Sequence, residues 1–328
     1  MSTSNLNSEE VIALLQKQVD DDSEFVTLLT ESLIAANNHA TAYLDPVLYA
    51  ALNALYDGNG WPLEQNAYIS YLTTFAKVIP GENTGTYDPW RNTSGQNGYS
   101  QEIYDRLCHF YLLVDQGVGK RSLQYYTSSI NDFKFATWLG QYADAWGSFL
   151  DTPESLTPET LASFEHDPEY NLPDYSQDAP NWKSFNTFFY RQLNPNKTDG
   201  SPMRPVANPK GNQIVTSPAD CTFKKYYQID GAGNVMDHLG NKTKISLKLT
   251  HVIGNINELL GTAGAPYASA FYGGTFVHYF LSPFDYHRFH SPVSGKVSVL
   301  DAVPGNVYLK VRIVSGQFDA PDSSADGY

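Results

Sequence analysis

Cysteine is almost missing from this chain. Cys108 and Cys221 are the two in 328 residues, far apart and without Cys-x-x-Cys spacing, so neither a zinc knuckle, a redox pair nor a disulfide-stapled scaffold is encoded. We read two free thiols in a reducing compartment. Basic residues are scarce as well: 21 Lys and Arg stand against 35 Asp and Glu, for a net charge of -14 and a pI near 4.9. That balance repels a phosphate backbone and an anionic lipid surface alike, which argues against a nucleic-acid partner. No apolar run reaches the ~18 residues that a membrane span needs, and the opening MSTSNLNSEE has neither the basic start nor the apolar core of a signal peptide. The expectation is a cytoplasmic protein with no transmembrane segment.

What is present is aromatic. With 41% hydrophobic and 14% aromatic residues, 23 of them Tyr, the chain is not disordered, and its length suffices for one large domain or two ordinary ones. The first part reads as helices. Ser8 is placed to cap a segment beginning Glu9-Glu10-Val11. A second helix starts at Ser23, with Phe25, Leu28, Leu29 and Leu33 at helical spacing. Residues 80 to 98 read as a loop, and Tyr99 to Leu113 as a helix with Ile103, Leu107 and Phe110 on one side. A further helix carries Phe135, Trp138, Leu139, Tyr142, Trp146 and Phe149 as a packing stripe. We therefore expect an α+β protein whose helical N-terminal domain covers 1–150, followed by a Pro-rich acidic linker over 151–181, within which Thr157-Pro158-Glu159 starts one short helix. A second domain is expected over 182–328, opening with a helix from Trp182 to Leu193. Strands are predicted at Gln213–Val215, Thr275–Leu281, Val297–Leu300 and Val307–Val314, where β-branched and aromatic residues lie between Gly and Pro breaks.

One stretch concentrates chemistry: Gly273 to Val293 holds His278, His287 and His290 among aromatics and two Ser-Pro pairs. Residues three apart on a regular strand face opposite sides, so His287 and His290 share a site only if the chain bends between them, and flanking prolines favour a bend. The His-x-x-His spacing lacks the helical i, i+4 register of zinc peptidases, and no third ligand is evident, so no metal is expected. His278 alternates with Phe276 and Phe280 and reads as a satisfied strand histidine.

These residues resemble the phosphatidylserine decarboxylase family. Leu281-Ser282-Pro283 followed by Asp285-Tyr286-His287-Arg288-Phe289-His290-Ser291-Pro292 is similar to its histidine signature. Phe185-Asn186-Thr187-Phe188-Phe189-Tyr190-Arg191-Gln192-Leu193 is similar to its FNEFFxRxL segment, Ser217-Pro218-Ala219-Asp220 to its PADG, and Ile253 to Gly261 to a short helix ending in ELLG. The N-terminal half is similar to that of a fungal and bacterial branch that includes tryptophan decarboxylases. The resemblance implies a zymogen that cleaves itself autocatalytically: a serine attacks its own preceding carbonyl and leaves a pyruvoyl group, which holds the substrate amine as an imine and takes up electrons when CO2 departs. By position in the motifs, His290 is the base for that serine, Asp220 the acid that orients His290, and His287 a turnover residue that positions the substrate carboxylate or returns a proton.

Two departures matter. Cys221 stands where the family has glycine, and the cleavage serine belongs in a Gly-Ser motif well downstream of the histidines, which this chain does not reach before Tyr328. Ser323 and Ser324, in a polar stretch, are not expected to be the nucleophile. The expectation is a decarboxylase whose catalytic domain is incomplete at its C-terminus and inactive as this chain alone, its partners being an amino-acid substrate and its own C-terminal small subunit, with a homo-oligomer left open. A free aromatic amino acid is favoured over phosphatidylserine, because the acidity opposes anionic lipid and no basic amphipathic helix is evident. The alternative is a non-catalytic homologue that uses the same pocket to bind an amine ligand or a partner.

Overall fold

The computed structural model describes residues 6–83, 87–90, 101–118, 121–176, 182–211, 213–247, 251–282, 284–297 and 310–320. Its first helices follow from cap and spacing. Helix α1, Ser8–Asp21, is capped by Asn7, whose side chain accepts from the Glu10 amide while Glu10 reaches back to the Asn7 amide. The cap lies one residue earlier than Ser8, because Asn7 has its carboxyl partner three residues on. Helix α2, Ser23–Tyr43, is capped by Asp22 and buries Phe25, Leu29, Ser32, Leu33, Ala36 and Ala40 on one stripe. Asp22 is a hub. Burial works against its charge, but bonds from Ser128, the Phe25 amide, Tyr126 and Gln18 outweigh that and hold its pKa below the usual carboxylate value.

Helices α3, Pro46–Leu55, α4, Gln65–Phe75, and α5, Gln101–Leu112, continue this unit. On α5 the expected face is only partly right. Phe110 is buried, but so are Glu102, Asp105 and His109, because each has a polar partner: Arg106, Trp90 Nε1 and the Gly60 carbonyl respectively. The strand pair β1, Gly117–Val118, and β2, Arg121–Ser122, leads toward α6, Phe135–Leu150, where Trp138 donates to the Val11 carbonyl of α1. Helix α7, Pro158–Glu165, is capped by Thr157 with Pro158 at its first turn. The Pro-rich stretch around it also contains short 3-10 turns at Pro153–Ser155, Pro168–Tyr170 and Leu172–Asp174. Helix α8, Phe185–Phe189, stops well short of Leu193, since the Arg191 amide turns back to Phe188 and Leu193 instead forms a bridge with Tyr175.

The second half holds the sheets. Strand β3, Thr222–Ile229, lies between the short β4, Val235–Met236, and β7, Thr275–Phe280, with β5, Ile245–Leu247, and β6, His251–Ile253, forming a separate hairpin that leads to helix α9, Ile256–Gly264. Gln213–Val215 forms no strand: Thr216 reaches only the Pro292 carbonyl, and Pro218 has no amide to extend a ladder. Residues 298–300 and 307–309 of the two last predicted strands lie outside the described residues. The remainder gives β8, Arg312–Val314, paired with β9, Gln317–Asp319.

Two compact units result. One takes Met1–His166, Lys183–Asn186 and Asn306–Ser324, the other Asp167–Trp182, Thr187–Gly305 and Ala325–Tyr328. The helical unit also holds the β8–β9 hairpin: Val311, Phe318 and Ala320 enter its core, the Val311 amide donates to Asp115, and the Ala320 amide donates to the Tyr104 hydroxyl. The sheet unit has two small cores, one around Tyr227, Val235, Ile245 and Ala268, the other around Tyr175, Leu193, Met203 and Tyr286. The architecture is α+β.

Candidate active site

Strand pairing brings the distant motifs together. Asp220 lies two residues before β3 and the histidine segment follows β7, and these strands are antiparallel with Thr222 opposite Phe280. Both motifs therefore leave the same end of the ladder. Beyond it the chains stay joined, for the His290 amide donates to the Pro218 carbonyl at 2.6 Å and the Thr216 amide to the Pro292 carbonyl at 3.1 Å. Asp220 and His290 line one cleft of about 470 Å³, walled by apolar Val206, Ile214 and Val293 and by the Ser217 hydroxyl.

Within the cleft the carboxylate of Asp220 is held by Arg204, through Nε to Oδ1 at 3.2 Å and through a second bond from Nη2 to Oδ2. Among the described residues no hydrogen bond joins Asp220 to His290. The His290 ring instead stacks against Tyr286, with centroids 5.6 Å apart. The guanidinium of Arg204 lies 5.9 Å from the same Tyr286 ring. Its bond to Asp220 holds Arg204 above its ordinary pKa, so the cleft keeps one fixed positive charge beside one carboxylate. Cys221 folds back so that its thiol meets the Ala219 carbonyl at 3.2 Å and the Ser217 hydroxyl at 3.1 Å.

His287 is placed differently. It does not line the cleft; its Nε2 donates to the Ser282 carbonyl at 2.9 Å, and its ring stacks on Phe189 with centroids 3.8 Å apart. The bend between the two histidines is real, and it separates them rather than pointing both into one cavity.

Sequence reasoning assigned no role to the three arginines that organise this region. Arg191 is 1% exposed. It donates to the Phe284 carbonyl at 2.6 Å and stacks beside Tyr170, Tyr175 and Phe188, so the end of the FNTFFYRQL segment pins the loop that carries the histidines. Arg288 does the converse, donating to the Tyr190 carbonyl at 2.9 Å. Burial depresses the Arg191 pKa, with the neighbouring tyrosines acting against that shift. Arg204 had no sequence signal beyond being a cation in a Pro-rich stretch 16 positions before an acid.

Comparison with known proteins gives one family. Residues 185–316 match the model of the family described as phosphatidylserine decarboxylase. Over 244 residues the chain is 33% identical to phosphatidylserine decarboxylase proenzyme 3 of Schizosaccharomyces pombe, covering 73% of this chain and 22% of that protein. It is 31% identical over 166 residues to the phosphatidylserine decarboxylase proenzyme of Fusobacterium nucleatum, 51% of this chain and 47% of the relative. It is 29% identical over 193 residues to decarboxylase iboD of Amanita muscaria, covering 53% and 49% respectively. The chain thus spans from about a fifth to about half of the length of these relatives.

Proposed function

Because residues 185–316 belong to the phosphatidylserine decarboxylase family, we propose that the full-length protein is a self-processing carboxy-lyase that removes CO2 from a free amino acid, with an aromatic one preferred to phosphatidylserine. The observation that carries this reading is the single cleft lined by a carboxylate and an imidazole from motifs 70 positions apart. In it His290 takes the proton of the attacking serine hydroxyl, and Asp220 orients the imidazole that becomes charged. A carboxylate has more acceptor sites than Arg204 occupies, so Asp220 can accept from His290 while keeping the arginine. His287 serves turnover, positioning the substrate carboxylate or returning a proton; the Ser282 carbonyl and the Phe189 ring fix its tautomer and plane.

A pyruvoyl group, when formed, supplies a carbonyl that accepts the electron pair released with CO2. The residues fit such a group: the cleft offers the His290 imidazole and the Ser217 hydroxyl beside apolar walls, a setting for a small uncharged ketone. The word proenzyme in the names of two relatives supports processing into two subunits, the C-terminal small one remaining as partner. The net charge of -14 supports a soluble amino-acid substrate, and one relative is named simply as a decarboxylase. The domain reading that goes with this places the helical N-terminal domain at 1–150, a connecting stretch at 151–181 and the catalytic domain from 182 on.

Intact mass spectrometry and CO2 release by the full-length gene product test the proposal. We expect two fragments, and CO2 from tryptophan, tyrosine or phenylalanine. His290→Ala should stay uncleaved, and His287→Ala should cleave yet turn over poorly. Turnover of phosphatidylserine alone would overturn the substrate assignment. A single uncleaved mass with no CO2 would overturn the enzyme.

A further inference from the structure

Among the described residues, the outer edge of β3 is open along most of its length. On one side β7 pairs from Thr222 to Gln228, with a bulge between Phe223 and Lys225, whereas on the other β4 meets only Gln228 and Ile229. Among the described residues, the main-chain groups of Thr222–Tyr227 on that side pair with no strand. An unpaired edge of this kind is a template for an added strand.

The charged side chains along it are mostly basic. A hollow of about 420 Å³ follows the edge, lined among others by Lys224, Lys225, Tyr226, Met236, His238 and Lys244. Lys242 adds a further exposed cation through its bridge to Met236. The one carboxylate in the hollow, Asp237, is occupied in its own turn by the amides of Leu239 and Asn241. In a chain with net charge -14, four lysines between positions 224 and 244 form a local reversal of charge. Phe223 and Tyr226 are 56% and 55% exposed, which leaves apolar surface beside the cations.

Charge also selects the occupant. A second copy adding its own β3 would set lysine against lysine across the ladder, which is unfavourable, and the bulge disrupts the flat register that self-pairing uses. A strand carrying carboxylates has neither fault. We propose that the open β3 edge is a docking site for an extended acidic segment of a partner protein, added to the sheet through main-chain hydrogen bonds and held in register by Lys224, Lys225 and Lys244. This inference uses none of the catalytic residues, and protection of the β3 amides in the full-length protein without any peptide would overturn it in favour of the chain's own C-terminal segment.

The test uses the full-length protein and a fluorescent seven-residue peptide alternating Glu and Val, read by anisotropy and by amide exchange. The acidic peptide should bind and slow exchange of the β3 amides. The same peptide N-methylated at alternate amides, or with Lys in place of Glu, should bind about tenfold or more weakly. The double change Lys224→Glu and Lys225→Glu should reverse the preference toward the Lys peptide. Lys244→Glu, outside the strand, should weaken acidic-peptide binding even if the double variant fails to fold. Equal binding of the N-methylated peptide would overturn strand addition, leaving charge attraction only. Capture by phosphatidylserine-containing vesicles, with no peptide protection of β3, would overturn it in favour of a membrane.

Discussion

Each unit contains an arginine paired with a carboxylate, and the two pairs differ in almost everything but chemistry. In the helical unit Arg106 bonds Glu102 at 2.7 Å, with side chains 16% and 3% exposed. In the sheet unit Arg204 bonds Asp220, with side chains 40% and 41% exposed. The first pair is part of a core in which ionisable groups are structural; the second stands in a cleft beside an imidazole. Exposure decides which of the two can react. A carboxylate sealed among aromatics is committed to the fold, whereas one that water reaches can exchange partners.

The sharpest way to break that contrast is Arg106→Gln. It leaves the Glu102 charge buried without its cation, and the expected cost is about 3–5 kcal/mol, insensitive to salt. Urea unfolding followed by circular dichroism measures it. A cost below about 1 kcal/mol would mean that the pair behaves as a surface pair after all.

Next in size is a pH effect confined to the helical unit. Burial pushes both Asp105 and Asp115 up to about 7, with bonds from Trp90 and from the Val311 amide opposing the rise. A raised carboxyl pKa means that the folded chain holds a proton which the unfolded chain releases above about pH 4. Stability from each group is therefore full below about pH 4 and is lost as pH rises toward 7, at roughly 1.4 kcal/mol per pH unit as an upper bound. Asp105→Asn should flatten that slope in urea titrations at pH 4, 5, 6 and 7. An unchanged slope would show that Asp105 is not the proton carrier.

Among the described residues of the sheet unit the one comparably buried cation is Arg191, and Arg191→Ala removes both its stacking on three rings and its bond to Phe284. We expect a loss of about 2–3 kcal/mol and faster amide exchange from Phe284 to His290. Lysine should not rescue it, since an ammonium cannot lie flat among Tyr170, Tyr175 and Phe188.

These residues also mark how far the sequence could be read. Helical spacing predicted α2 and α6 because their buried stripes are apolar and local. It misjudged α5, whose inner face carries Glu102, Asp105 and His109, since polar partners from other segments cannot be seen in a spacing pattern. The ordered motifs led to Asp220, His287 and His290, and strand alternation placed β7. That Asp220 and His290 meet in one cleft depends on the register of β3 on β7, a long-range pairing. That Arg204 holds Asp220, and that His287 turns to Ser282, depends on loop geometry with no period at all. The expected Gln213–Val215 strand failed for the same reason: β-branched residues favour a strand only when a neighbour offers a ladder.

The smallest expected effect is on the exposed pair, and it completes the contrast with Arg106. Both partners of Arg204–Asp220 are about two-fifths exposed, so water screens their attraction and neither carries a large desolvation cost. Arg204→Gln should therefore change unfolding free energy by less than about 1 kcal/mol, and that difference should shrink further in ~1 M NaCl, where the screening length falls to about 3 Å. The function proposed for the cleft adds a second readout. Asp220 without its arginine still has a carboxylate to offer His290, so the full-length Arg204→Gln protein should still cleave itself, whereas Asp220→Asn should not. A salt-independent loss above about 2 kcal/mol in Arg204→Gln would place this pair with the buried one in the helical unit. Self-cleavage surviving in Asp220→Asn would instead remove Asp220 from the chemistry and leave it a structural partner of Arg204.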